Sequence, residues 1–228
     1  MQDILLLHGA IGAKDQLDPL AERLCAAYRV HTLNFSGHGG VPFEKEGFSI
    51  PLFAAGVLSY LRENKISSTH IFGYSMGGYV AMFLARHHPG SIGKVITLAT
   101  KFHWDETIAA KEIKMLDADT IFDKLPSFAN QLALRHSPND WKLVLEKTRN
   151  MLLGLGKQNA LQAEDYKRIA APCLLLLGDK DKMITAGETI AVQQALLHGE
   201  FRSLPGIPHP IEQVDEAMLS SLVAEFVN

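Results

Sequence analysis

The chain has 228 residues, 47% of them hydrophobic and 21% charged, with a formal net charge of −3. That length and balance fit one globular domain with a large core. They leave no basic footprint for nucleic acid or for an anionic membrane surface. Cys25 and Cys173 are too few for a disulfide framework or a metal cluster, and both are expected as small core residues. The opening Met1–His8 has no basic leader, its apolar run is too short for a signal peptide, and no stretch is long enough to span a bilayer. A cytoplasmic protein is expected.

Short apolar runs alternate with amphipathic stretches, which is the pattern of βαβ units and a mainly parallel sheet. Strands are expected at Ile4–Leu7, Arg29–Leu33, Thr69–Phe72, Lys94–Leu98, Cys173–Leu177 and Phe201–Leu204, about six in all. Between them, Leu17–Tyr28, Phe53–Leu61, Glu188–Leu197 and Glu212–Phe226 read as helices; Leu17, Leu20, Ala21 and Leu24 share one face. Residues 101–171 break the rhythm. No strand is evident there, and the interval far exceeds an ordinary loop of roughly 4–6 residues. Ile108–Leu116 and Phe128–Leu134 look helical, and a third helix is expected to start at Ser137 as N-cap with Pro138 in first position. The expected organisation is a single domain over residues 1–228, with 101–171 as a helical insertion over the site.

Gly73-Tyr74-Ser75-Met76-Gly77 carries the chemistry. A buried strand, Thr69–Phe72, precedes it and an apolar helix, Gly78–Ala85, follows. A serine on so tight a strand-to-helix turn is lifted above the sheet, and only very small residues fit two positions either side of it. A serine hydroxyl needs a base to take its proton and a third group to orient that base. Sites of this kind present the groups in the order serine, acid, histidine. Asp179 and Asp181 both follow the buried run Cys173–Leu177, and either could be the acid. His209, fixed between Pro208 and Pro210 after the last strand, is the expected base; His38, within Gly37-His38-Gly39, precedes Ser75 and breaks the order. The amides of Met76 and of Ala10, in the loop His8-Gly9-Ala10-Ile11, are placed to meet an oxyanion, and His8 is expected to bond backbone within that loop.

Taken together, His8-Gly9, Gly37-His38-Gly39, Gly73-Tyr74-Ser75-Met76-Gly77-Gly78, Gly178-Asp179-Lys180-Asp181 and the loop ending in His209 resemble the α/β-hydrolase superfamily, specifically small esterase-like members with a helical cap. The resemblance implies Ser75 as nucleophile, Asp181 as orienting acid, His209 as base, Ala10 and Met76 as oxyanion donors, and neither cofactor nor metal. Two departures stand out. Met1 lies almost at the first strand, so the family's N-terminal hairpin is expected to be absent, and Asn34-Phe35-Ser36 stands where an acidic residue is usual. The expected activity is hydrolysis of a small ester or thioester through an acyl-enzyme. The same triad could cleave a carbon–carbon, lactone or amide bond or perform perhydrolysis, and a non-catalytic binding protein on this scaffold is the other class. Ile11, Tyr74, Phe102, Trp104 and Met151 are the candidate apolar walls for an acyl group. Lys101, His103 and Arg135 are expected to be solvated.

Overall fold

A computed structural model describes residues 1–228. Six strands, β1 (Asp3–Leu7), β2 (Arg29–Thr32), β3 (Thr69–Tyr74), β4 (Ile92–Leu98), β5 (Cys173–Gly178) and β6 (Gly199–Leu204), form one sheet in the order β2-β1-β3-β4-β5-β6. Every pairing is parallel, and β2 is an outer edge. The chain moves outward from β1 to β2 and then returns to β3 on the other side of β1. The order therefore reverses between β1 and β3, the place where open α/β sheets leave a crevice beyond the strand ends.

Strand alternation distributes the core to both faces. Leu5, Leu7, Ile71, Val95 and Leu175 pack on one side, with α2 (Ile50–Glu63) and α3 (Met76–His87). Ile4, Leu6, Phe72, Ile96 and Leu174 pack on the other, with α1 (Asp18–Leu24) and α10 (Glu216–Val227). Both faces are apolar because helices cover both, as a parallel sheet requires. No helix is long and apolar enough to cross a membrane.

Residues 101–171 contain α4 (Glu106–Glu112), α5 (Ala118–Lys124), α6 (Pro126–His136), α7 (Trp141–Lys157) and α8 (Ala163–Tyr166); α9 (Ala186–Ala195) follows β5. The expected start of α7 is three residues early. Asp140, not Ser137, is the N-cap, and its carboxylate accepts from Lys142 N–H at 2.9 Å. Residues 137–139 are instead drawn into a tertiary contact, where Asn139 Nδ2 donates to Gly37 O and to Val41 O at 3.1 and 2.6 Å. Cys173 is buried as expected. Cys25 is exposed, because it lies just past the last turn of α1 and its thiol donates back to Glu22 O.

Candidate active site

Ser75 sits between β3 and α3 with φ 51° and ψ −115°, a combination that costs about 1–3 kcal/mol for a residue with a side chain. The surroundings hold it there. Ser75 N–H donates to Leu98 O at 2.8 Å, and its carbonyl accepts from Thr100 Oγ1 and Gly78 N–H, each at 3.0 Å. The turn closes so tightly that a Cβ on Gly73 would lie 2.5 Å from the Gly77 backbone. Ser75 is half-buried, and its hydroxyl is not used as a helix cap.

The two aspartates after β5 have separate tasks. Asp181 Oδ2 lies 2.7 Å from His209 Nδ1, with the carboxylate side chain fully buried. Asp181 Oδ1 accepts from Met183 and Ile184 N–H at 2.7 and 3.0 Å. Burial alone would raise its pKa. The His209 hydrogen bond and charge, with those two amides, outweigh burial and hold it below the usual carboxylate range. Asp179 faces the other way and accepts from Gly206 N–H at 2.7 Å, pinning the turn that leads to His209.

An acidic partner at Nδ1 leaves His209 Nε2 as the nitrogen available to a substrate proton. Tyr74 supports the same loop: its hydroxyl donates to His209 O at 3.2 Å, and the two rings lie 5.7 Å apart. The loop after β1 approaches from the opposite side. A Cβ on Gly9 would stand 2.9 Å from the Tyr74 ring and 3.3 Å from Ser75 Cβ, so only glycine lets the backbone come this close. Ala10 N–H makes no hydrogen bond within the chain, and Met76 N–H is an unpaired donor at the positive end of α3.

Behind this loop lie three buried histidines. His8 Nε2 accepts from Phe35 N–H at 3.2 Å and Nδ1 meets Gly9 O at 2.8 Å, the backbone role expected of it. Burial pushes its pKa down to about 4. His38 packs against it with ring centroids 5.2 Å apart, and His136 follows 5.7 Å beyond His38. No group of three His, Cys, Asp or Glu side chains is arranged to hold a metal.

Of the five expected pocket walls, Phe102 alone lines a cleft of about 730 Å³, together with Ile108, Tyr166, Met183 and Val192. The cleft flanks the Asp181 loop, and neither Ser75 nor His209 lines it. Trp104 and Met151 are packed into the main core and Tyr74 into the core of the opposite face, while Ile11 is half-buried against Ile121, Ala129, Leu132 and Leu145. Lys101 is not solvated. It donates to Met183 O at 2.7 Å and pairs with Glu188 at 3.7 Å, only 10% exposed. His103 is exposed near Asp105, and Arg135 pairs with Asp15 at 3.6 Å. Asn34, the first residue of Asn34-Phe35-Ser36, has a structural task that sequence reading missed. Its side chain accepts from Lys14 N–H at 2.7 Å and donates to Gly39 O at 3.1 Å, tying two loops together.

This sheet order, with a strained serine at its reversal and a paired histidine and aspartate beyond β5 and β6, defines an α/β hydrolase, and residues 4–155 match the α/β-hydrolase-fold family model. The chain belongs to that family. It is 28% identical over 200 residues to the thermostable monoacylglycerol lipase of Bacillus sp. (strain H-257), covering 85% of this chain and 76% of the relative. It is 29% identical over 234 residues to the pimeloyl-[acyl-carrier protein] methyl ester esterase of Neisseria meningitidis, covering 89% and 88%. In fold it is similar to the crystal structure of the enol-lactonase from Burkholderia xenovorans LB400, at TM-score 0.77 and 18% identity, covering 99% of this chain and 91% of that one. A thermophilic esterase from Thermogutta terrifontis superposes at TM-score 0.75 and 22% identity, covering 100% and 89%.

Proposed function

We propose that this protein is a serine hydrolase of small carboxylic esters or thioesters. The observation that carries the reading is the 2.7 Å contact of His209 Nδ1 with buried Asp181, in a chain whose Ser75 is held at a strained, half-buried elbow. Its lipase and methyl-esterase relatives support the same bond type.

In this reading Ser75 Oγ attacks the carbonyl carbon as its proton passes to His209 Nε2. The carbonyl π electrons move to oxygen, where Ala10 and Met76 N–H receive the negative charge. Asp181 keeps the imidazole in the Nδ1–H tautomer and stabilises the cation formed. The carbonyl then re-forms, the alcohol or thiol leaves with the proton from His209, and the acyl group remains on Ser75. Water repeats the sequence with the same three groups, releasing the acid and restoring the serine. Water is the only co-substrate this balance needs.

The test is a hydrolysis screen of p-nitrophenyl esters and acyl thioesters of graded chain length, with the Ser75→Ala protein alongside. Turnover that disappears in Ser75→Ala supports the reading. Equal turnover in both proteins, or none with any ester or thioester, would remove it.

A further inference from the structure

Residues Gly9–Gly12 form a turn closed by Gly12 N–H donating to Gly9 O at 3.2 Å. Ile11 has φ 53°, while Ala10 stays outside the positive-φ region. That is the pattern of a type II turn, whose third position favours glycine or asparagine. A β-branched residue is disfavoured there, so contacts from outside the turn must hold it.

His136, the last residue of α6, supplies one from 125 positions away, with Nε2 3.1 Å from Ile11 O. On the other edge of the ring, Nδ1 accepts from Gly39 N–H at 3.2 Å. Acceptance at Nδ1 requires the neutral ring to carry its proton at Nε2, so the bond to Ile11 is a donation. The residue is fully buried and packs edge-on against His38. Its neighbour Arg135 pairs with Asp15 just past the turn, a second tie between α6 and this loop.

We propose that His136 is a positioning residue for the oxyanion hole: its Nε2–H fixes the Ile11 carbonyl, and with it the turn that presents Ala10 N–H beside Ser75. If Ile11 relaxed to negative φ, the Ala10–Ile11 peptide would turn over and the Ala10 amide would shift. This inference rests on the serine-hydrolase reading and adds to it a link from the helices after β4 to the catalytic loop. The α6–α7 corner is thereby fastened to the site rather than free to swing.

Two substitutions separate the edges of the ring. His136→Asn retains an acceptor near the place of Nδ1 but is too short to reach Ile11 O. His136→Gln puts an amide nitrogen near the place of Nε2. Asn139→Ala is the comparator, because Asn139 holds the same corner through Gly37 and Val41 without touching residues 9–12. kcat, KM and Tm are measured on a short p-nitrophenyl ester that the wild type hydrolyses. His136→Asn should lower kcat by about ten- to a hundredfold with KM nearly unchanged, and His136→Gln should stay within about threefold of wild type. Asn139→Ala should lower Tm and leave kcat alone. Wild-type kcat in His136→Asn, or an equal loss in His136→Gln, would show that the ring only packs and would overturn the inference alone. A wild type that hydrolyses neither ester nor thioester would overturn the functional reading and this inference together.

Discussion

His209 faces Asp181 and not Asp179: Nδ1 meets Asp181 Oδ2 at 2.7 Å, while the Asp179 carboxylate turns to Gly206 N–H. Two aspartates on one short loop thus hold the histidine in different ways, one through its ring and one through the turn before it. Asp181→Asn should preserve the fold and cut kcat by about 10³–10⁴, because an amide partner favours the wrong imidazole tautomer. Asp179→Asn keeps an acceptor for Gly206 and should stay within about tenfold of wild type. Kinetics of the two purified variants decide the matter, and the reverse ranking would transfer the orienting role to Asp179.

Covalent chemistry at Ser75 is separately testable. A fluorophosphonate probe should give a single adduct on Ser75, located by peptide mass spectrometry. His209→Ala should slow labelling severely, since in the proposed mechanism His209 takes the Ser75 proton. Loss of either residue should cost on the order of 10³–10⁶ in kcat, and the double variant little more than either single one. An adduct on another residue would exclude Ser75.

The elbow was legible in the sequence because it is local: a strand, a glycine-flanked serine and a helix within about twenty residues. The strands were legible for the same reason, since runs such as Leu174–Leu177 have few alternatives in a parallel sheet. What stayed hidden depends on distant contacts. Ser137-Pro138 carries a proper helix-start signal, yet Asn139 is pulled to Gly37 and Val41, and the helix begins at Asp140's cap instead. Asp179 and Asp181 carry the same chemistry two positions apart, and only the course of the loop separates them. Asn34 and His136 had no visible signal, because the contacts that tie them to the loop after β1 reach 20 and 125 residues back along the chain.

Buried His8 makes stability depend on acidity. Burial lowers its folded pKa from 6.5 to about 4, so between these values the unfolded chain binds a proton that the folded chain does not. Stability therefore rises with pH across this window and is lost as pH falls from 6.5 towards 4, by up to roughly 3 kcal/mol from His8 alone. His38 and His136, also lowered chiefly by burial, add to the same slope. Urea denaturation across this range should show net proton uptake on unfolding, reduced by about one proton in His8→Asn. An unchanged uptake in that variant would assign the acid sensitivity to other groups.

In the segment after β4, four large residues, Trp104, Phe128, Trp141 and Met151, are packed in two ways. Trp104 and Met151 lie in the main core, and Trp104 is further fixed by Asn159, which accepts from its N–H at 3.1 Å and donates to its carbonyl at 2.7 Å. Phe128 and Trp141 are only half-buried, around the small cluster that also supports Ile11 beside the oxyanion loop. Trp104→Ala and Met151→Ala should therefore cost about 2–5 kcal/mol and leave the ranking of acyl esters unchanged. Phe128→Ala and Trp141→Ala should cost less and alter that ranking, since the cluster they pack around also holds Ile11, next to Ala10 in the loop after β1. The measurement is Tm together with kcat/KM over esters from acetate to laurate. If all four variants lose stability and keep the wild-type ranking, the insertion is no cap, and selectivity must come from the loops after the strands.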